Sequence, residues 1–203
     1  MFTSIGVGQS SANRILFFGD SITAGLGVDE EEAFPALIQN KIDSLGWNFK
    51  AVNAGLSGET SAGGLRRVDW MLRQPVSVFV LELGGNDGLR GIDLSVTKKN
   101  LQKIIDKVEA KYPDARIVLA GMQVPPNLGP EYTEEFKKMY PELAEKNDAG
   151  LIPFLLEDVG RNPDRMQSDG IHPNAEGHAV LAKNAWDTLK PILQKLRANK
   201  QAN

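Results

Sequence analysis

The chain contains no cysteine, and this absence excludes several kinds of chemistry at once. Without thiols there is no disulfide, no cysteine nucleophile, and no zinc or iron–sulfur site held by thiolates. Histidine is nearly as scarce, because His172 and His178 are the only two in the sequence. Any mechanism that uses an imidazole as a proton acceptor must therefore rely on one of these two side chains.

The sequence also lacks an excess of basic residues and a long apolar run. Its 23 lysines and arginines are outnumbered by 26 aspartates and glutamates, which argues against nucleic acid as a partner. No apolar run approaches the ~18 residues of a membrane span, and the first residues do not resemble a signal peptide. We therefore expect a soluble protein without an integral membrane segment, either cytoplasmic or, if an upstream signal was removed, periplasmic.

The 203 residues, of which 41% are hydrophobic, suffice for one domain with a full core. Residues 1–14 are small and polar without periodicity, and they are predicted to form a flexible N-terminal arm. Residues 15–203 are expected to form a single domain, a length that leaves no room for a separate lid domain.

Short apolar runs alternate with helical patterns along this domain. Five runs have the continuous apolar character of buried parallel strands: 15–18, 49–52, 76–83, 116–120 and 150–154. Four segments have the three–four apolar spacing of helices: 34–45, 96–108 behind a predicted Ser95 cap, 133–144, and 175–197 behind a predicted Asn174 cap. The alternation predicts a mainly parallel sheet covered by helices on both faces, with functional residues directly after strands.

A serine follows the first predicted strand, in the sequence FGDSITAG over residues 18–25. At a strand-to-helix turn, the hydroxyl of Ser21 can be exposed while its backbone N–H points into the same space, as a nucleophile and an oxyanion donor require. Asp20 or Ser21 could instead merely cap the next helix. The segment is not the Gly-x-Ser-x-Gly elbow of α/β-hydrolases, because Thr23 stands at the last glycine position.

Glycines and an asparagine follow the second and third predicted strands, in NAGLSGET over 53–60 and LGGNDG over 83–88. Glycine lets a backbone approach a ligand closely and asparagine supplies an amide donor, although either segment could be a plain turn. The glycines at 58, 63 and 64 have the spacing of a phosphate loop, but Gly64 and Leu65 replace the lysine and hydroxyl residue that such a loop needs. Nucleotide binding is not expected there.

Asp169 and His172 stand three residues apart before the last predicted helix. In a turn, this spacing lets the carboxylate reach Nδ1 of the ring while Nε2 faces elsewhere, which is the arrangement that an activated serine needs. His172 could also be an ordinary loop histidine. His178 has no acid at matching spacing and is predicted to be a packing or surface residue. The two histidines are poorly spaced for a metal, and neither a metal nor another cofactor is expected.

Together these segments resemble the four blocks of the SGNH hydrolases, the GDSL lipase/esterase family, and especially its bacterial thioesterase, lysophospholipase and arylesterase branch. The blocks occur in the family order across nearly the whole chain: Gly19-Asp20-Ser21, Gly58, Gly84-Gly85-Asn86-Asp87, and Asp169 with His172. Ile22 replaces the leucine that gives the group its name. The resemblance implies a three-layer α/β/α fold with a flavodoxin-like, five-stranded parallel sheet.

The resemblance also implies a catalytic triad in which Ser21 is the nucleophile, His172 the base and Asp169 the acid that orients the base. Neutral His172 would take the proton of Ser21 as Oγ attacks a carbonyl, and water would later release the acyl group.

An oxyanion hole is implied as well, made of the backbone N–H groups of Ser21 and Gly58 and the side chain of Asn86. Gly58 is preferred to Gly55 because it matches the family position. Two side chains are then expected to hold the neighbouring turns, Asp20 and Asn53.

Two loops are predicted to contact the substrate: Asp87, Gly88 and Leu89 after the third strand, and Val124 and Pro125 after the fourth. Their character favours a small-molecule acyl or aryl ester of short to medium chain, with thioesters and lysophospholipids as further candidates. Two alternatives stay open. A carbohydrate O-acetylesterase on the same fold would favour polar residues at 124–126, and a non-catalytic flavodoxin-like binding module would need a nucleotide or flavin loop.

Overall fold

A computed structural model describes residues 13–201 of the chain, with side chains described through residue 199. Its sheet has five strands, all parallel, in the order β2-β1-β3-β4-β5. The strands are β1 (Asn13–Gly19), β2 (Phe49–Gly55), β3 (Val78–Glu82), β4 (Arg116–Ala120) and β5 (Gly150–Ile152). This order is the flavodoxin-like one, so the predicted fold class is confirmed.

Seven α-helices lie within residues 13–201: α1 (Ser21–Ala24), α2 (Phe34–Ser44), α3 (Ser61–Met71), α4 (Gly85–Leu89), α5 (Leu94–Lys111), α6 (Pro130–Lys146) and α7 (Ala175–Gln201). Short 3₁₀ turns occur at Glu30–Glu32, Pro126–Leu128 and Pro163–Arg165. No helix in this described part combines the length and the apolarity that a membrane crossing requires.

Alternate side chains of each strand enter two separate apolar cores, one on each face of the sheet. Leu16 and Phe18 of β1 lie in the core shared with α3, α5 and α6, whereas Ile15 and Phe17 lie in the core shared with α2 and α7. All four side chains are fully buried. Burial on both faces explains why this strand is a continuous apolar run in the sequence rather than an alternating one.

β1 lies between β2 and β3. After β1 the chain adds β2 on one side of it, and it then crosses over to add β3, β4 and β5 on the other side. In parallel sheets of this kind, the crevice at such a reversal of strand order is the usual ligand site. The fold therefore places the loops after β1, β2 and β3 side by side at one edge.

The helices of the structure differ in part from the predicted ones. The helix predicted behind Ser95 begins at Leu94, because the carboxylate of Asp93 is the cap and accepts the N–H of Ser95 at 2.8 Å. The predicted Asn174 cap is confirmed, since its side-chain oxygen accepts the N–H of Gly177 at 3.0 Å. Helix α3 was not predicted, and glycines at 63 and 64 explain this, because glycine is unfavourable within helices.

Most of the predicted N-terminal arm, residues 1–12, lies outside the described residues. Asn13 and Arg14, the last two residues of that predicted arm, belong to β1 and pair with Phe49 and Lys50 of β2. The first strand therefore begins two residues before the predicted start of the domain.

Candidate active site

Ser21 is the first residue of α1, directly beyond β1. Asp20 caps the helix, with Oδ1 accepting the N–H of Ile22 at 3.0 Å. Asp20 thus caps the helix while the hydroxyl of Ser21 points elsewhere. A helix cap and a nucleophile can therefore both be present in this segment. Ser21 Oγ lies 3.0 Å from Nε2 of His172, which is 151 residues further along the chain.

The other ring nitrogen of His172 contacts Asp169. Nδ1 lies 2.7 Å from Oδ2 of Asp169, and Oδ1 of the same carboxylate accepts the backbone N–H groups of Ile171 and His172 at 2.9 and 3.0 Å. The bond from the His172 ring, and then the two backbone bonds, hold the pKa of Asp169 well below its usual range. The structure therefore brings Ser21, His172 and Asp169 together in a continuous hydrogen-bonded series.

Gln167, which no motif marks, ties the loop that carries His172 to the segment after α1. Its Nε2 donates to the carbonyl oxygens of Leu26 at 2.6 Å and Pro173 at 2.9 Å, and its backbone N–H donates to the carbonyl of His172 at 2.8 Å. These bonds fix the imidazole loop relative to Ser21. Sequence reasoning missed this residue because its contact with Leu26 joins positions 141 residues apart.

Three donors follow three neighbouring strands at this edge of the sheet: the N–H groups of Ser21 and Gly58 and the amide of Asn86. Neither backbone N–H has an acceptor within residues 13–201. The amide of Asn86 donates one hydrogen to Oδ2 of Asp20 at 3.0 Å, which leaves its second hydrogen available. Each of the three groups therefore has an N–H hydrogen without another acceptor, which is what a developing oxyanion needs.

Gly58 and Gly55 differ in a way that bears on the predicted choice between them. The N–H of Gly55 donates to the side-chain oxygen of Asn53 at 2.9 Å. The side chain of Asn53 thus bonds to the last residue of β2, and this bond occupies the Gly55 donor. The carbonyl of Gly58 accepts Nη2 of Arg90 at 3.2 Å, whereas its N–H is unpartnered in the described chain.

Two buried carboxyl groups lie next to Ser21. Burial raises the pKa of Asp20 to about 6, although the N–H of Ile22, the amide of Asn86, the side chain of Glu82 and the nearby His172 act in the opposite direction. Glu82, the last residue of β3, is buried as well, and burial together with the charge of Asp20 raises its pKa well above the usual range. Perturbed acids of this kind are concentrated at functional sites.

The predicted substrate-contacting residues after β3 divide into buried and exposed ones. Asp87 is 1% exposed, and its carboxylate accepts the N–H and hydroxyl of Ser61 at 2.8 and 2.5 Å and the hydroxyl of Thr97 at 3.3 Å. Its side chain therefore joins α3, α4 and α5 inside the protein, which corrects the expectation that it faces the substrate. Gly88 is also buried, whereas Leu89 is exposed.

The loop after β4 is divided in the same way. Val124 is partly buried and packs against the core beside α6, and Pro125 is exposed. The loop after β4 packs against α4 at Gly88. Val124 lies so close to Gly88 that a Cβ built on this glycine would be 2.4 Å from Cγ1 of Val124. Of the five predicted substrate-contacting residues, Leu89 and Pro125 are thus the exposed apolar ones.

Exposed apolar side chains accompany the site residues, a feature that sequence reasoning did not use. They are Leu26 after α1, Leu56 before Gly58, Leu89 after Asn86 and Ile171 beside His172, and each is between 44% and 51% exposed. Large exposed apolar groups near one site are typical of a surface that binds apolar ligands.

A cavity of about 510 Å³ opens beside Gly58, lined in part by Arg66, Arg67 and Arg90. The buried carboxylate of Glu59 accepts Nε of Arg67 at 2.9 Å and neutralises it. Arg66 and Arg90 have no carboxylate partner in the part of the chain that the structure describes. The cavity next to the predicted oxyanion donor therefore has a positively charged lining.

His178 lies in α7 and is a packing residue, not a surface one. It is 1% exposed, stacks on Phe34, and accepts the Phe34 N–H on Nδ1 at 3.3 Å. Burial lowers its pKa to about 4. Within residues 13–201, no three histidine or carboxylate side chains gather into a group that could hold a metal ion.

A serine, a histidine and an aspartate linked in this order at the edge of a parallel sheet are typical of serine hydrolases. The chain belongs to the GDSL-like Lipase/Acylhydrolase family, which matches residues 17–180. This membership confirms the resemblance read from the four sequence blocks.

Individual relatives agree with the family. Esterase TesA of Pseudomonas aeruginosa is 42% identical over 186 residues, which are 91% of this chain and 92% of the relative. The thioesterase 1/protease 1/lysophospholipase L1 of Escherichia coli strain K12 is 39% identical over 187 residues, 91% of this chain and 86% of the relative. A crystal structure of TesA superposes with a TM-score of 0.84 at 42% identity, covering 88% of this chain and 99% of the other.

Proposed function

We propose that the protein hydrolyses carboxylic esters of short to medium acyl chains, including aryl esters, and thioesters, with Ser21 as nucleophile. The observation that carries the proposal is the linked contact series, Ser21 Oγ to His172 Nε2 at 3.0 Å and His172 Nδ1 to Asp169 Oδ2 at 2.7 Å. A nucleophile, its base and an orienting acid within hydrogen-bond reach are the parts that acyl transfer requires.

In the first half of the reaction, Nε2 of neutral His172 accepts the hydroxyl proton of Ser21 while Oγ bonds to the substrate carbonyl carbon. Asp169 stabilises the imidazolium that forms. The carbonyl oxygen becomes an oxyanion, which accepts hydrogen bonds from the Ser21 and Gly58 N–H groups and from Asn86. The bond to the leaving group then breaks, and His172 returns the proton to the departing alcohol or thiol.

The second half repeats these steps with water. His172 takes a proton from a water molecule, whose oxygen attacks the acyl-enzyme carbonyl under the same three donors. Release of the carboxylic acid returns the proton to Ser21 Oγ and restores the free enzyme. With substrate and water, Ser21 and His172 account for every proton that moves.

Substrate class is supported by the surface around Ser21. Leu26, Leu56, Leu89 and Ile171 supply apolar area that suits an acyl chain or an aromatic ring. The exposed Pro125 and the apolar Val124 extend this character to the loop after β4, where a carbohydrate esterase would favour polar groups. The names of the relatives, an esterase and a thioesterase/lysophospholipase, agree with an acyl substrate.

The test is hydrolysis of p-nitrophenyl esters of graded chain length by the parent protein, Ser21→Ala and Ser57→Ala. Ser57 is a matched control, because it is an exposed serine in the loop after β2 with no side-chain hydrogen bond in the described residues. We expect Ser21→Ala to lose kcat by at least about 10⁴-fold, and Ser57→Ala to keep the parent value. Equal activity of Ser21→Ala and the parent would show that Ser21 is not the nucleophile.

A further inference from the structure

Glu82 is a buried acid at the active site that the proposed reaction does not use. It is the last residue of β3 and pairs in register with Gly19, two residues before Ser21. Its exposure is 1%, although a glutamate is almost never buried without partners. A carboxyl group in this position needs a physical explanation.

One oxygen of Glu82 holds both ends of the segment that carries Ser21. Oε2 accepts the N–H of Asp20 at 3.1 Å, the N–H of Thr23 at 3.3 Å and the hydroxyl of Thr23 at 2.6 Å. A Cβ at position 19 would lie 2.3 Å from this oxygen, so only glycine allows the approach. The glycine of the Gly-Asp-Ser block thus makes room for Glu82.

The second carboxyl oxygen of Glu82, Oε1, indicates whether this side chain is ionised. Oε1 is buried and has no hydrogen-bond partner within residues 13–201. An ionised oxygen without a partner is costly to bury, and a second negative charge is disfavoured beside Asp20. A protonated, neutral Glu82 avoids both of these costs.

Asp20 extends the network to the predicted oxyanion donor. Its N–H is bonded to Glu82, while its Oδ2 accepts the Asn86 amide at 3.0 Å. Resting on the function proposed above, we propose that Glu82 is an uncharged positioning residue that fixes the Ser21 segment and, through Asp20, the amide of Asn86. It touches no reacting atom and acts through the residues that do.

Two substitutions separate the acceptor role of Glu82 from its charge. Glu82→Gln keeps a carbonyl acceptor and stays neutral, so kcat for p-nitrophenyl butyrate should remain within about 3-fold of the parent, with an unchanged pH profile. Glu82→Leu removes the acceptor at similar size, and kcat should fall ~10²-fold with little change in KM, because small displacements of reacting groups are costly.

Two further variants control for a general effect of mutating β3 and for misfolding of Glu82→Leu. Val80→Ala truncates a buried side chain two residues earlier in β3, and per folded molecule it should keep the parent kcat. Thr23→Val removes only the 2.6 Å contact, and it should lower kcat by about 10-fold even if Glu82→Leu does not fold. Circular dichroism and thermal unfolding report the folded fraction of each variant.

The proposal is overturned if Glu82→Gln loses as much kcat as Glu82→Leu, or shifts the pH profile, because the charge would then be the active property. It is equally overturned if folded Glu82→Leu and Thr23→Val keep the parent kcat. These results are distinct from failure of the proposed function, which would appear as parent-level activity in Ser21→Ala.

Discussion

The amide nitrogen of Asn86 lies 3.0 Å from Oδ2 of Asp20, so a side chain that follows β3 is bonded to the residue that precedes Ser21. The bond uses one amide hydrogen and orients the other. Because Asp20 also caps α1 through Oδ1, one carboxylate aligns two of the candidate oxyanion donors, the Ser21 N–H and the Asn86 amide.

Asn86→Ala should lower kcat by ~10²–10³-fold and leave KM nearly unchanged, because the donor acts on charge that develops only in the transition state. Steady-state kinetics with p-nitrophenyl butyrate measure both parameters. Asn127→Ala is the control, since Asn127 is an exposed asparagine of the loop after β4. A constant kcat with a raised KM would mean that Asn86 only binds the ground state.

Asp169→Asn should lower kcat by about 10³–10⁴-fold while the fold is retained, because a neutral amide neither fixes the His172 tautomer nor stabilises the imidazolium. The low pKa of Asp169 means that the parent carboxylate stays ionised through the neutral and mildly acidic range. The measurement is kcat at neutral pH. Asp164→Asn changes an acid five residues earlier and should keep full activity; a similar loss in both variants would contradict a specific role for Asp169.

The sequence could predict Ser21, Asp169 and His172 as candidates because each lies in a short motif at a strand end or before a helix, where local spacing carries the information. The structure brings these three side chains into contact. Sequence reasoning could not find Gln167 or Glu82, whose partners lie 141 and about 60 residues away and are brought near only by the folded sheet. Asp87 was misplaced for the same reason, since its burial depends on Ser61 and Thr97.

His178→Gln should weaken the pH dependence of stability. Burial lowers the pKa of His178 to about 4, so between pH 6.5 and 4 the unfolded chain binds a proton that the folded chain does not. Through this histidine, lowering the pH from 7.5 to 4.5 therefore reduces the free energy of unfolding by about 2–3 kcal/mol. Glutamine does not titrate, and its oxygen can still accept the Phe34 N–H.

Urea denaturation of the parent and His178→Gln at both pH values gives the relevant quantity, which is the difference between their free energies of unfolding. Raised pKa values of Asp20 and Glu82 act oppositely, since those groups stabilise the folded state as pH falls, but they are common to both proteins. A difference that is the same at pH 7.5 and 4.5 would contradict the linkage to His178.

Gly64→Ala should destabilise the protein although alanine favours helices. A Cβ on Gly64 would lie 2.4 Å from Cδ1 of Leu83 and 3.1 Å from Cε1 of Phe18, both in a fully buried core. Overpacking costs about 1–3 kcal/mol, which exceeds the gain of about 1 kcal/mol in helix propensity. Gly63→Ala, one position earlier in α3, is the matched control, because the three atoms nearest to its Cβ would all belong to the Glu59 side chain, at 3.1 Å or more. Urea denaturation should rank Gly63→Ala as the more stable variant, and the reverse order would show that α3 does not pack on the sheet through Gly64.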